Sequence, residues 1–158
     1  MRKHHNSAKD KRLRNFPTES IDSDIEKIEG LLSFNFRYLD SEQGDRFSDL
    51  TPNQFGKIME KLKYYSGESR QHWEQERIGN KNSKVLVVYG DFPNNSDFHH
   101  PKAVPAGVRW ARFRLEGDQR LAGFVINKND VSEDSNLNTN VFYVVFLDNQ
   151  HRFYKVKK

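Results

Sequence analysis

Four arginines fall within the stretch RWARFRLEGDQR, residues 109–120, interleaved with bulky apolar side chains. A guanidinium stays charged at any physiological pH and binds carboxylate or phosphate through paired hydrogen bonds. In an extended strand every second side chain shares a face, so Arg112, Arg114 and Glu116 point one way and Ala111, Phe113 and Leu115 the other. Like charges side by side are unfavourable unless an anion meets them. That anion is either an acidic neighbour, such as Glu116 or Asp118, or a phosphate backbone. Further along, DNQHRFY adds His151, Arg152 and Tyr154. Histidine titrates near neutrality and suits proton transfer. The bland alternatives are a surface histidine in a turn and a tyrosine at the edge of a core.

Other groupings are weaker. DFHHP offers Asp97, His99 and His100, but adjacent histidines in a long loop lack the spacing of a closed metal site. In RQHW, Trp73 reads as core and His72 as its exposed neighbour. There is no P-loop, dinucleotide-binding glycine pattern or nucleophile elbow, so nucleotide-dependent chemistry is not expected. No metal and no cofactor is expected. The absence of cysteine removes disulfides and thiolate chemistry and fits a reducing compartment. No run approaches the roughly 20 apolar residues of a membrane span, and no apolar stretch follows the basic N-terminus. The expectation is a cytoplasmic protein without a membrane partner.

The elements that would carry these residues follow from patterning. Residues 1–14 hold six basic side chains against Asp10 alone, while the remainder is nearly neutral, so the net charge of +4 belongs to the tail. Residues 1–20 read as a disordered basic tail, and 21–158 as one α+β domain. Ile21, Ile25, Ile28 and Leu32 recur at helical spacing. LSFNFRYLD alternates, placing Leu32, Phe34, Phe36 and Tyr38 on one strand face. Thr51, Pro52 and Gln54 open a helix with Phe55, Ile58, Met59, Leu62 and Tyr65 as its apolar stripe, ended by Gly67. Ser69 caps a second, shorter helix, which completes a helical hairpin over about 51–77. Strands are expected at 84–92, 108–116, 120–126 and 141–148, within an antiparallel sheet spanning about 84–156. The long loop PNNSDFHHPKAVPAG interrupts them. The whole reads as an antiparallel meander with the helices packed on one face.

This order, together with Trp110, Arg112, Arg114, Arg120, Leu121, the apolar strand 141–147, His151 and Tyr154, resembles the RelE/ParE-type toxin superfamily of bacterial toxin–antitoxin systems. The chain is longer than the family's small members by its first 30 residues and by segment 78–107. The resemblance implies a strand, a helical hairpin and a meander, and, in the ribonuclease branch, metal-independent cleavage of messenger RNA, typically on the ribosome. It implies Arg120 as stabiliser of the transition state, and His151 and Tyr154 as the groups for proton transfer and base stacking. Arg112 and Arg114, with Arg109 and Arg152, would grip RNA. Glu116 stands as a general base or as a salt-bridge partner. A cognate antitoxin is the implied protein partner. The rival expectation is a non-catalytic nucleic-acid- or protein-binding factor from a phage or mobile element, with segment 78–107 as its partner surface.

Overall fold

The computed structural model describes residues 27–79 and 83–155, with isolated positions 8, 11, 12 and 14. Most of the basic tail, and Ile21 and Ile25, lie outside the described residues. Residues 27–30 are helical. They lead into β1 (Ser33–Asn35), α1 (Pro52–Tyr65) and α2 (Arg70–Gln75). A small ribbon follows, β2 (Arg77–Ile78) with β3 (Ser83–Lys84), and then β4 (Leu86–Gly90), β5 (Arg109–Arg114), β6 (Arg120–Val125) and β7 (Val141–Asp148). The main sheet runs β1-β7-β6-β5-β4. Three consecutive antiparallel pairings make the meander, and β1 adds a parallel edge beside β7.

Local chemistry sets α1. Thr51 and Gln54 form a reciprocal capping box, Pro52 sits where no amide donor is needed, and Ser66 closes the helix through Leu62 O. Of its apolar stripe, Ile58, Leu62 and Tyr65 are buried, while Phe55 and Met59 remain on the exposed rim. Ser69 caps α2. Trp73 is buried and donates its indole N–H to Tyr65 O at 2.7 Å. His72 packs edge-on against Trp73.

The first strand is shorter than its alternation predicts. Asn35 Oδ1 accepts from the Arg37 amide, and Leu39 N–H bonds to Phe36 O, so the chain turns after three residues. Phe34 therefore packs with Phe113 and Phe142 on one sheet face. Tyr38 packs with Phe124 and Tyr143 on the other.

The helices cover one face, where Ile58, Leu62, Tyr65 and Trp73 meet Phe113, Leu121, Phe142 and Leu147. The opposite face is not simply wet, as strand alternation suggests. Residues 91–107 and the C-terminal segment lay Phe98, Val104 and Phe153 on Trp110, Ala122, Phe124 and Phe146. Phe98 stacks on Phe146 at 4.5 Å, and Phe92 meets Trp110 edge-on at 4.8 Å. Aromatic burial of this kind turns a long loop into a second covering layer. The part of that face beyond this aromatic layer carries the arginines, of which Arg120 is buried.

Candidate anion-binding site

The site is assembled by register. Arg112 lies opposite Ala122, and Arg114 lies opposite Arg120 on the next strand. Arg120 in turn lies opposite Asp148. Arg112, Arg114 and Arg120 thus share the face that holds Trp110 and Phe124, away from the helices. None of the three forms an ion pair with a described carboxylate. Arg120 is nonetheless 4% exposed. Its Nη1 donates to Gly117 O at 2.8 Å and Gln119 O at 2.7 Å, and its Nη2 lies 2.7 Å from His151 Nε2. A guanidinium has no acceptor, so this contact requires an unprotonated Nε2 and a neutral ring. The Nε of Arg120 and the Nη1 of Arg112 are buried and have no hydrogen-bond partner among the described residues. Arg112 Nε donates to Tyr89 OH at 3.1 Å. Tyr89 stacks on Tyr154 at 4.4 Å with the rings 7° from parallel.

Asp148, the carboxylate nearest in register to Arg120, is already committed. It is buried and accepts the backbone amides of Gln150, Arg152 and Phe153 at 3.1, 3.0 and 2.8 Å. Those bonds pin the turn that presents His151, which sits in left-handed backbone at φ 57°. Asp118, on the exposed turn before β6, lies 3.9 Å from His151 Nε2. Burial, then Arg112 and Arg114, push the Arg120 guanidinium down to about 10, against the pull of Asp118. Burial, followed by Arg120, holds His151 below its ordinary value. Burial raises Tyr89. A guanidinium depressed by burial and by neighbouring cations marks a place suited to an anion.

Other residues singled out from sequence lie elsewhere. Arg109, at the far end of β5, grips Asp130 with two bonds of 2.8 and 3.2 Å. A cleft of about 460 Å³ beside it is lined by Gly90, Phe92, His100 and Trp110 among others. Arg152 pairs with Asp45 at 2.9 Å and lies over the Phe98 ring at 4.9 Å, which ties the C-terminal segment to the body. Glu116 does not continue the arginine face. Leu115 N–H bonds to Gln119 O, so alternation stops there, and Glu116 pairs with Lys57 of α1 at 3.4 Å. Asp97 bonds Lys155, the His99 amide bonds Gln43, and His100 Nδ1 lies against Pro101 O. Among the described residues, no three His, Cys, Asp or Glu side chains gather as metal ligands.

Two members of the site have no sequence signal of their own. Tyr89 is aligned by β4, whose Val87 lies opposite Arg112, and Asp148 works through backbone amides. Register and turn geometry reveal them; residue type does not. No protein-family model, curated protein or solved structure matches the chain. Fold and site together define an α+β protein bearing an arginine, histidine and tyrosine cluster on one sheet face. Among the described residues no helix is long and apolar enough to cross a membrane.

Proposed function

We propose that this protein is a metal-independent endoribonuclease acting on messenger RNA in the cytoplasm, and the toxin of a toxin–antitoxin pair. One observation carries the reading: three arginines on one sheet face pair with no described carboxylate, and the most buried of them lies 2.7 Å from His151 Nε2. Arg112 and Arg114 hold the phosphate backbone, and Tyr154, stacked on Tyr89, offers a surface to a base. Arg120 balances the charge that develops on the phosphoryl oxygens. In the step itself the ribose 2′-oxygen bonds to its neighbouring phosphorus as the bond from phosphorus to the 5′-oxygen breaks. The 2′-hydroxyl proton leaves to solvent, and His151, which must first turn from Arg120 and take up a proton beside the bound phosphate, supplies one to the 5′-oxygen. The products are a 2′,3′-cyclic phosphate and a 5′-hydroxyl. Glu116, held by Lys57, has no part in this scheme.

Incubating the full chain with single-stranded RNA and with translating ribosomes, with and without EDTA, tests the proposal. Cyclic-phosphate ends should form in both, and Arg120→Ala should slow their formation by about 10²-fold or more. A folded wild-type chain that neither cuts RNA nor stops translation ends the nuclease reading. Cleavage lost to EDTA and restored by zinc or manganese ends the metal-free mechanism. A second reading, binding without cleavage, is favoured by the two turn carbonyls that already hold Arg120 Nη1. Tight RNA binding without product would select it.

A further inference from the structure

We propose that the cluster of Arg112, Arg120 and His151 takes up a proton together with its anion: a phosphate or sulfate group docks against the two guanidiniums, and His151 changes from the acceptor of Arg120 to a protonated donor to the anion. This rests on the reading of the arginine face as a phosphate site, and adds to it a coupling between ligand and pH.

The geometry makes the two events interdependent. At 2.7 Å from Arg120 Nη2, His151 Nε2 must keep its lone pair. Adding a proton there alone would set one cation against another. The charged and titratable groups that act on His151 come from every neighbouring element: Arg120 on β6, Arg112 on β5, Asp148 on β7 and Asp118 on the turn. Asp148 is fully engaged by three amides. Asp118 lies 3.9 Å away with its side chain 83% exposed, where solvent and salt screen it. The free site therefore favours the neutral ring, in keeping with the depressed basicity of His151.

An oxyanion reverses that balance. It offsets both guanidiniums and supplies acceptors for Arg112 Nη1 and Arg120 Nε, which are buried and unpartnered among the described residues and are reached only as the side chains around them shift. The ring is 40% exposed, and its backbone is fixed by the Asp148-anchored turn, so the imidazole can turn toward the ligand while the main chain stays in place. Affinity should then rise as pH falls through the interval between the bound-state and free-state titrations of His151. The limit is about tenfold per pH unit for one proton. A site built from arginines alone would be flat over the same range, because guanidinium does not titrate there.

The test uses the full chain and two probes whose charge is constant from about pH 5 to 8, sulfate and a short 2′-O-methyl oligonucleotide that cannot be cleaved. Binding of both should tighten as pH falls, and calorimetry in buffers of different ionisation heat should show net proton uptake. His151→Asn, a residue that tolerates left-handed backbone, should bind with no such pH dependence. Asp118→Asn should shift the rise to lower pH, and it keeps His151 in place should the first variant fail to fold. Wild-type binding without proton uptake, an unchanged slope in His151→Asn, or no binding of either probe overturns the proposal. Proton-linked sulfate binding without oligonucleotide binding upholds it and overturns the RNA reading instead. Oligonucleotide binding without proton uptake does the opposite.

Discussion

Arg120 has two jobs that pull its substitution in two directions. It ties the turn before β6 through Gly117 O and Gln119 O, and it carries the cation that meets His151. Replacing it with alanine should lower cleavage by about 10²-fold or more, with some loss of stability. His151→Ala should match the loss of rate, because in the proposed step the ring supplies the leaving-group proton. Arg112→Ala and Arg114→Ala should act chiefly on RNA binding, weakening it and flattening its salt dependence by about one phosphate contact each, whereas Arg120→Ala should lower both binding and rate. Rates, binding isotherms and thermal unfolding measured side by side separate these outcomes. A parallel fall of stability and every activity in Arg120→Ala and His151→Ala would mark both residues as purely structural. At this scale the sequence was readable as far as strand alternation reached: Arg112 and Arg114 do share a face. It could not show that Arg109, Arg152 and Glu116 are drawn away, because their partners Asp130, Asp45 and Lys57 are distant in the chain. Tyr89 was invisible for the same reason, since the register of β4 on β5 brings it to Arg112.

Element by element, the strongest local signals stood closest to the observed structure. The capping box of α1 and the apolar run of β7 fall where patterning puts them, because each is decided by neighbours in sequence. The covering layer of residues 91–107 had no periodicity to announce it, and forms only because Phe98 and Phe92 find aromatic partners on the sheet. Gly123 belongs to the same class of hidden constraint. At the irregular pairing of β6 with β7, a Cβ on residue 123 would lie 2.0 Å from Tyr143 O. That clash is with backbone, so the strands must separate to relieve it. Gly123→Ala should therefore destabilise by at least the 1–3 kcal/mol typical of overpacking, about the cost of a forced backbone shift. Chemical denaturation reads it directly. An alanine variant as stable as wild type would show that the two strands are not held this closely.

Over the whole molecule, charge is divided between body and tail, and the two parts should answer to different conditions. In the body, His151 titrates below its ordinary 6.5 when folded, so the unfolded chain binds the proton more readily. Its contribution is fully present above about pH 6.5 and is lost as pH falls from there toward the folded-state value. The melting temperature of wild type should thus drop more between neutral and mildly acidic pH than that of His151→Asn. Added sulfate should narrow the gap, and equal drops in the two proteins would refute the linkage. The tail answers to salt. Six basic side chains against one acidic in residues 1–14 outweigh a body that is slightly acidic overall, so under the proposed function nonspecific attraction to RNA should come from that segment. Under that proposal its contacts should be with phosphates at large and vanish as counterions compete, whereas those of Arg112 and Arg120 should be fixed by the sheet. Deleting residues 1–20 should leave the melting temperature nearly unchanged and weaken RNA binding at low ionic strength. The difference should shrink near physiological salt, and the salt slope should fall. A large loss of thermal stability on deletion would instead place the tail within the fold, and an unchanged slope would assign the low-salt affinity to the arginine face alone.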